Sequence, residues 1–249
     1  MKPYYEDDRI ALHHGDMREI LPALDIRADA VITDPPYGET SLVWDRWPDG
    51  WVKALDDTTN ALWCFGSMRM FFDHLPDFAG WKLAQDVVWE KHNGTGFAAD
   101  RFKRVHELAL HFYRGDWRDV HHEAVREAYH GPDKHARART SRTPHTGEIG
   151  AHQYVDDGTR MVRSVVKVKS VRGGLHPTEK PGAVLDPLIR YSVPLAGLVL
   201  DPFAGSGSTL LTARSLGRRA VGIEADEAYC EAAAKRLAET DLFMIGDAS

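Results

Sequence analysis

One stretch near the C-terminal end constrains the fold more than any other. The apolar run of residues 196–200 leads into Asp201-Pro-Phe-Ala-Gly-Ser-Gly-Ser-Thr209, and helical spacing predicts a helix over residues 208–216. Small residues between a strand and a helix let the backbone approach a ligand at the helix N-terminus. A second predicted strand, residues 219–224, follows at once. These alternating units predict a doubly wound, mostly parallel α/β sheet.

An acidic residue ends that second strand. Glu224 stands 19 residues beyond Gly205, which is the position from which a carboxylate accepts hydrogen bonds from ribose hydroxyls. The turn Gly205-Ser206-Gly207 and Glu224 therefore fit any adenosine-containing cofactor, and a dinucleotide dehydrogenase is one alternative. The chain has no Walker-type Gly-Lys-Ser/Thr, which argues against a nucleoside triphosphatase.

Other segments show strand or helix patterns in the same alternating order. Predicted strands are residues 9–14, 28–33, 60–66, 83–89 and 107–113, and predicted helices are residues 17–24, 68–75, one through 184–189, and one from Asp226 as N-cap to about residue 239. The chain has only two cysteines, inside apolar stretches, and it has no apolar run near the roughly 18 residues of a membrane span. We therefore expect a cytoplasmic protein with neither a disulfide framework nor a bound metal.

Charge is distributed unevenly along the chain. The formal net charge is −6, yet residues 101–175 carry 15 Lys or Arg against 9 Asp or Glu. A basic segment on an acidic protein predicts contact with a polyanion, although a solvated surface insertion fits the charge equally well. Residues 115–170 also lack clear periodicity, so we predict an inserted region there and one main domain of residues 1–114 and 171–249.

A second motif follows the predicted strand of residues 28–33. Asp34-Pro35-Pro36-Tyr37 combines a carboxylate, two rigid prolines and an aromatic ring, which suits a clamp for a planar amine. The Asp34 carboxylate and the Pro35 carbonyl can accept two amino hydrogens, and Tyr37 can stack on a nucleobase. A proline-terminated strand at a turn is the alternative interpretation.

Together these motifs resemble those of the DNA amino-methyltransferases, in particular their beta group. Members of that group carry Asp-Pro-Pro-Tyr first, then a target-recognition region, then Phe-x-Gly-x-Gly. This chain has residues 34–37, the basic insertion, and Phe203-Ala-Gly-Ser-Gly207 in the same order. His176-Pro-Thr-Glu-Lys-Pro181 and Val105-His-Glu-Leu-Ala-Leu110 also look like segments that recur in the family.

The resemblance implies a Rossmann-like, S-adenosylmethionine-dependent methyltransferase fold with circularly permuted motifs. It implies methyl transfer to an exocyclic amine of double-stranded DNA. In that family an aspartate at the first motif position favours adenine, so the resemblance implies adenine N6 as the target, with N4 of cytosine as the nearest alternative. A catalytically idle DNA-binding regulator is an alternative from another class.

Roles for individual residues also follow from the resemblance. Asp34, Pro35, Pro36 and Tyr37 would hold the target base. In the cofactor site, Glu224 would bind the ribose, Lys180 the carboxylate and Asp16 the adenine, although a solvated lysine and a simple Gly-Asp turn are the respective alternatives. The full predicted cofactor set is Asp16, His176, Thr178, Lys180, Asp201, Phe203, Ala204, Gly205, Ser206, Gly207 and Glu224.

Methylation within a duplex requires the base to be flipped out of the stack. Residues 38–51 have the length and aromatic content of a loop that closes over such a base, although their tryptophans could instead anchor the loop to the core. The predicted DNA contacts are Trp44, Arg46, Trp47, Arg101, Lys103, Arg104, Arg137, Arg139 and Arg142. The resemblance also allows a homodimer, but the sequence does not indicate whether a restriction endonuclease partner exists.

Overall fold

The computed structural model describes residues 1–95, 99–129, 142–143, 147–148, 157–171 and 179–246. The helices there are α1 (Met17–Leu24), α2 (Met68–Asp73), α3 (Gly182–Ser192), α4 (Ser208–Ser215) and α5 (Glu227–Gly246). The strands are β1 (Tyr5–Glu6), β2 (Ile10–His14), β3 (Ala30–Thr33), β4 (Ala61–Gly66), β5 (Lys82–Thr95), β6 (Arg104–Tyr113), β7 (Arg126–Ala128), β8 (Arg142–Thr143), β9 (Gly147–Glu148), β10 (Thr159–Met161), β11 (Val165–Lys167), β12 (Leu198–Asp201) and β13 (Arg219–Glu224). Short 3₁₀ helices lie at Lys53–Leu55, Leu75–Phe78 and Trp117–Asp119.

Within the described residues, nine strands form one sheet in the order β1-β2-β13-β12-β3-β4-β6-β5-β11. The five central strands from β2 to β4 are parallel to one another. Strand β6 runs antiparallel to both β4 and β5. Because the central strands share one direction, their carboxyl ends meet at one edge, which is where such sheets bind ligands.

Helices cover both faces of this sheet. Side chains alternate along each strand, so Ala30 and Ile32 of β3 face one side and Val31 faces the other. The first side packs against α3, α4 and α5, and the second packs against α1 and α2. The result is a three-layer, doubly wound architecture with two hydrophobic layers.

Most predicted elements form where the sequence indicated them. The helix of residues 17–24 and the strand of residues 219–224 have the predicted bounds. The predicted helix of residues 68–75 ends earlier, at Asp73, and a 3₁₀ helix with Pro76 near its start follows. Proline lacks the backbone N–H that would continue the α-helix. Among the described helices, none is long and apolar enough to cross a membrane.

Two compact units can be distinguished, residues 1–123 with 164–249, and residues 124–163. In the second unit, β7 pairs antiparallel with β10, and β8 pairs antiparallel with β9. Strand β11 belongs to the first unit, where it lies parallel to β5. The proposed boundaries of the insertion, residues 115–170, stay a prediction.

Candidate active site

A cavity of about 360 Å³ lies at the carboxyl edge of the parallel strands. It collects side chains that follow β2, β3, β12 and β13, although these strands are far apart in sequence. The predicted site residues that line it are Asp16, Asp34, Pro35, Pro36, Tyr37, Trp44, Arg46, Lys180, Asp201, Phe203, Ala204, Gly205, Ser206 and Glu224. The predicted clamp and the predicted cofactor turn therefore open into one space.

The glycine turn connects β12 to α4 beside this cavity. Gly205 and Gly207 have φ angles of +52° and +76°, a region that other residues rarely adopt. A Cβ on Gly207 would also lie 3.3 Å from the Cβ of Ala233 on α5. Glycine at position 207 therefore permits both the turn and close helix packing.

Glu224 ties this turn to the next strand. Its carboxylate accepts hydrogen bonds from the backbone N–H of Gly205 at 2.7 Å and of Asp226 at 2.8 Å. Burial raises the pKa of Glu224, while these backbone hydrogen bonds favour its ionised form. An acceptor carboxylate beside a glycine turn suits the ribose of an adenosine-containing cofactor.

Asp201 holds β12 to β3 rather than projecting freely into the cavity. It is buried, and it accepts hydrogen bonds from Thr33 Oγ1 at 2.7 Å and from the N–H of Phe203 at 3.1 Å. Burial raises its pKa to about 6. Phe203 packs edge-on against the buried ring of Trp51, with ring centroids 5.3 Å apart. These contacts fix the start of the glycine turn.

The clamp motif leaves the sheet directly after β3. Asp34 lies between two donors, since the Tyr37 hydroxyl donates to its Oδ1 and the Lys180 ammonium donates to its Oδ2. Burial raises the pKa of Asp34, and the Lys180 charge opposes that shift. The structure thus presents a carboxylate whose two oxygens are already engaged within the protein.

Lys180 is buried, with 7% of its side chain exposed. Its Nζ lies 3.6 Å from Oε2 of Glu107, whose Oε1 accepts a 2.6 Å hydrogen bond from Lys91. Burial alone would lower the pKa of Lys180, but the Asp34 and Glu107 carboxylates outweigh it and raise that pKa. Sequence reasoning missed Glu107, although a charged residue inside the apolar alternation of β6 was a signal.

Asp16 begins α1 at the rim of the cavity. Its side chain accepts from the N–H of Arg18 at 2.8 Å, so it is the N-cap of the helix. It also pairs with the Arg18 guanidinium, and that side-chain hydrogen bond lowers the pKa of Asp16. Its assigned contact with adenine stays a prediction.

Arg236 of α5 is another residue near the cavity that the sequence did not indicate. Arg236 donates to the carbonyl of Ser206 at 3.2 Å and to Ser208 Oγ at 3.1 Å, and it pairs with Glu179 at 3.0 Å. Glu179 precedes Lys180 and lines the cavity. Arg236 therefore links α5, the glycine turn and the Glu-Lys segment. Its spacing on a long helix gave no sign of this role.

The loop of residues 38–51 lies beside the clamp. Asp45 is buried and accepts from the N–H groups of Gly38 at 2.8 Å and Thr40 at 2.7 Å, which orders the start of the loop. Trp47 stacks on His74 at 4.0 Å and so attaches the loop to the body of the protein. Trp44 and Arg46 line the cavity, whereas Trp47 does not.

The remaining predicted DNA contacts divide into exposed and undescribed residues. Arg101, Lys103 and Arg104 are exposed; Arg101 pairs with the adjacent Asp100, and Arg104 lies 3.7 Å from Glu39. The backbone of Arg142 lies in β8. The predicted DNA contacts Arg137 and Arg139, and the predicted cofactor residues His176 and Thr178, lie outside the described residues. All these roles stay predictions.

Known proteins resemble this chain over nearly its whole length. The family model described as DNA methylase matches residues 28–235. The Type II methyltransferase M.ScaI of Streptomyces caespitosus is 29% identical over 95% of this chain and 84% of its own length. The Type II methyltransferase M2.DpnII of Streptococcus pneumoniae is 25% identical over 95% of this chain and 92% of its own length.

Solved structures share the fold as well. The M1.HpyAVI-SAM complex is 25% identical, with a TM-score of 0.61, and the match covers 91% of this chain and 99% of that one. The PvuII DNA methyltransferase, described as cytosine-N4-specific, has a TM-score of 0.65 at 16% identity, with 94% of this chain and 88% of that one covered. The predicted Rossmann-like methyltransferase fold is confirmed.

Proposed function

The chain belongs to the DNA methylase family, and we propose that it transfers the methyl group of S-adenosylmethionine to the N6 amino group of adenine in duplex DNA. The observation that carries this proposal is the shared cavity, in which Asp34 and Tyr37 open into the same space as the glycine turn and Glu224. An amine clamp beside an adenosine site suits methyl transfer to a nucleobase. The motif order also fits the beta group of DNA amino-methyltransferases.

The residues around the glycine turn fit the proposed cofactor. Gly205 and Gly207 keep the turn open to a ligand, the α4 N-terminus attracts an anionic group, and Glu224 offers an acceptor for the ribose. S-adenosylmethionine would supply the electrophilic methyl group and the leaving group, so no covalent enzyme intermediate is required. The related M1.HpyAVI was crystallised with this cofactor, which supports the assignment.

Asp34, Pro35 and Tyr37 would act on the base. The Asp34 carboxylate and the Pro35 carbonyl would draw the two amino hydrogens toward tetrahedral geometry and so aim the nitrogen lone pair at the methyl group. Tyr37 would stack on the flipped base, a contact that contributes about 1–3 kcal/mol. In the structure Tyr37 donates to Asp34, so an entering amino group would displace the hydroxyl from Oδ1.

Adenine is favoured over cytosine because aspartate stands at the first clamp position, as the resemblance implies. The same clamp accommodates any exocyclic amine, so N4 of cytosine is the second candidate. The fold does not distinguish the two, since a cytosine-N4-specific enzyme shares it. The Type II relatives support a DNA modification enzyme. The excess of Lys and Arg in residues 101–175 is what supports our proposal that this basic segment contacts the target duplex.

The test is to incubate the purified protein with labelled S-adenosylmethionine and plasmid DNA, and to separate the methylated nucleosides by mass spectrometry. We expect N6-methyladenine, and single-molecule sequencing would then give the recognition site. The Asp34→Ala variant, which keeps the cofactor turn, is the control for contaminating activity. Label in N4-methylcytosine would refute the adenine assignment, and absence of any DNA label would refute the proposed function.

A further inference from the structure

Four charged side chains of alternating sign form a row that begins at the clamp. Asp34 accepts a hydrogen bond from Lys180, Lys180 lies 3.6 Å from Glu107, and Glu107 accepts a 2.6 Å hydrogen bond from Lys91. Only Asp34 in this row belongs to the clamp motif. Since buried charges are stable only when they are paired, the row has to be considered as one unit.

Lys180 occupies the centre of this row. Its side chain is 7% exposed, and its Nζ also lies 5.1 Å from the ring centroid of Phe65 on β4. Carboxylates flank the ammonium on both sides, from β6 and from the segment after β3. A lysine that binds the carboxylate of the cofactor would be expected to extend its ammonium toward that ligand. In the structure the Lys180 ammonium contacts Asp34 of the clamp instead.

The clamp works only while Asp34 is ionised. A neutral carboxylic acid carries a proton on one oxygen and keeps an acceptor on the other. Because Lys180 donates to Oδ2, the proton would lie on Oδ1, where the amino group needs an acceptor. Burial favours that neutral form, and the nearby carboxylate of Glu107 favours it as well. An adjacent cation is therefore required to keep the carboxylate charged.

We propose that Lys180 is a positioning residue for the base clamp, which keeps Asp34 ionised and fixes its Oδ2, so that Oδ1 can accept from the target amine once the amine displaces the Tyr37 hydroxyl. Glu107 lies on the other side of the Lys180 ammonium, and Lys91 in turn donates to Glu107. This inference rests on the proposed function, and it assigns Lys180 to the base rather than to the cofactor. Tyr37, Cys64 and Asp201 are further titratable groups around Asp34 among the described residues. Tyr37 and Cys64 are protonated at neutral pH because burial raises their pKa values, and burial, with a contribution from the Asp34 charge, raises the pKa of Asp201.

The row predicts opposite effects for its two inner members. Lys180→Met removes the cation beside Asp34, so the pH below which transfer fails should rise, by about one unit or more. Glu107→Gln removes a carboxylate that favours protonation of Asp34, so this acid limb should stay in place or move to lower pH. If Lys180 and Glu107 had purely structural roles, both substitutions would slow methyl transfer, and neither would shift the acid limb of the pH profile, the pH range in which transfer fails on acidification.

The experiment measures single-turnover methyl transfer against pH, with saturating S-adenosylmethionine and a duplex that contains the sequenced target site. It uses the wild type, Lys180→Met, Lys180→Arg and Glu107→Gln, with the exposed Lys53→Met as a matched control. Calorimetric titration gives the cofactor affinity of each variant. We expect Lys180→Arg to retain the wild-type acid limb, because it keeps the charge. We expect Lys180→Met to bind the cofactor within about threefold of the wild type, a difference well under 1.4 kcal/mol.

An unmoved acid limb in Lys180→Met, together with a cofactor affinity about tenfold weaker or more, would overturn the proposal and return Lys180 to the cofactor. If Lys180→Met does not fold, Glu107→Gln still decides, because an acid limb above that of the wild type would contradict the charge row. These outcomes can be distinguished from failure of the proposed function. If the proposed function is wrong, the wild-type protein itself gives no methylated DNA.

Discussion

Replacing Glu224 with alanine should weaken S-adenosylmethionine binding by about 100-fold or more. The Glu224 carboxylate already accepts two backbone hydrogen bonds, from Gly205 at 2.7 Å and Asp226 at 2.8 Å. A carboxylate has about four lone-pair sites, so about two are left for the ribose hydroxyls. Each hydrogen bond to a charged group contributes about 1.5–3 kcal/mol, so losing two costs about 3 kcal/mol at the lower limit.

Calorimetric titration of the wild type and of Glu224→Ala measures this loss directly. Glu227→Ala is the matched control, because it removes an exposed carboxylate from the start of α5, outside the cavity. Burial raises the pKa of Glu224, so wild-type affinity should begin to fall at a higher pH than for an exposed glutamate as the solution is acidified. Thermal unfolding and DNA binding of Glu224→Ala would show whether the turn is intact. Affinity within about threefold of the wild type, in a folded variant, would refute the ribose assignment.

The remaining predictions concern the clamp, the glycine turn and the core. Asp34→Ala should abolish tritium transfer to DNA, whereas Tyr37→Phe should keep activity within about tenfold, because stacking needs only the ring; a fully active Asp34→Ala would contradict the mechanism. Arg236→Met should weaken cofactor binding about tenfold, because it removes a charged hydrogen bond that holds the glycine turn at Ser206. DNA affinity measured by fluorescence anisotropy should stay unchanged. Burial lowers the pKa of His111 from 6.5 to about 4. The unfolded chain therefore binds this proton first, and stability present above pH 6.5 is lost as the pH falls toward about 4. Urea unfolding should show that this group lowers the free energy of unfolding by about 2 kcal/mol between pH 7 and pH 5. If His111 is responsible, the free energy of unfolding of His111→Phe should depend much less on pH over this range.

The periodic elements were predictable because each reflects a local pattern. Helix α1 has its apolar residues on one face and Asp16 as a cap, and both signals are contained within a few residues. Strand β5 shows the limit of such signals. The sequence predicts residues 83–89, but the strand extends over Lys82–Thr95 because β6 pairs along it, with register shifts between Leu83 and Gln85 and between Glu90 and Thr95. Pairing over that length depends on the partner strand and not on local composition.

The site residues were likewise predictable where they form contiguous motifs, and not where they depend on contacts between residues far apart in sequence. The clamp and the glycine turn were recognisable because each motif is contiguous, and the order of the two does not matter to the geometry. Strands β3 and β12 are neighbours in the sheet, so Thr33 bonds to Asp201 across 168 positions of sequence. The partner of Lys180 was not recognisable in this way. Asp34 lies 146 positions away, and a buried lysine is distinguished from a solvated one only by what the fold places around it. The two contiguous motifs therefore predicted residues that share the cavity, whereas the partner of a buried charge such as Lys180 is known only once the fold is known.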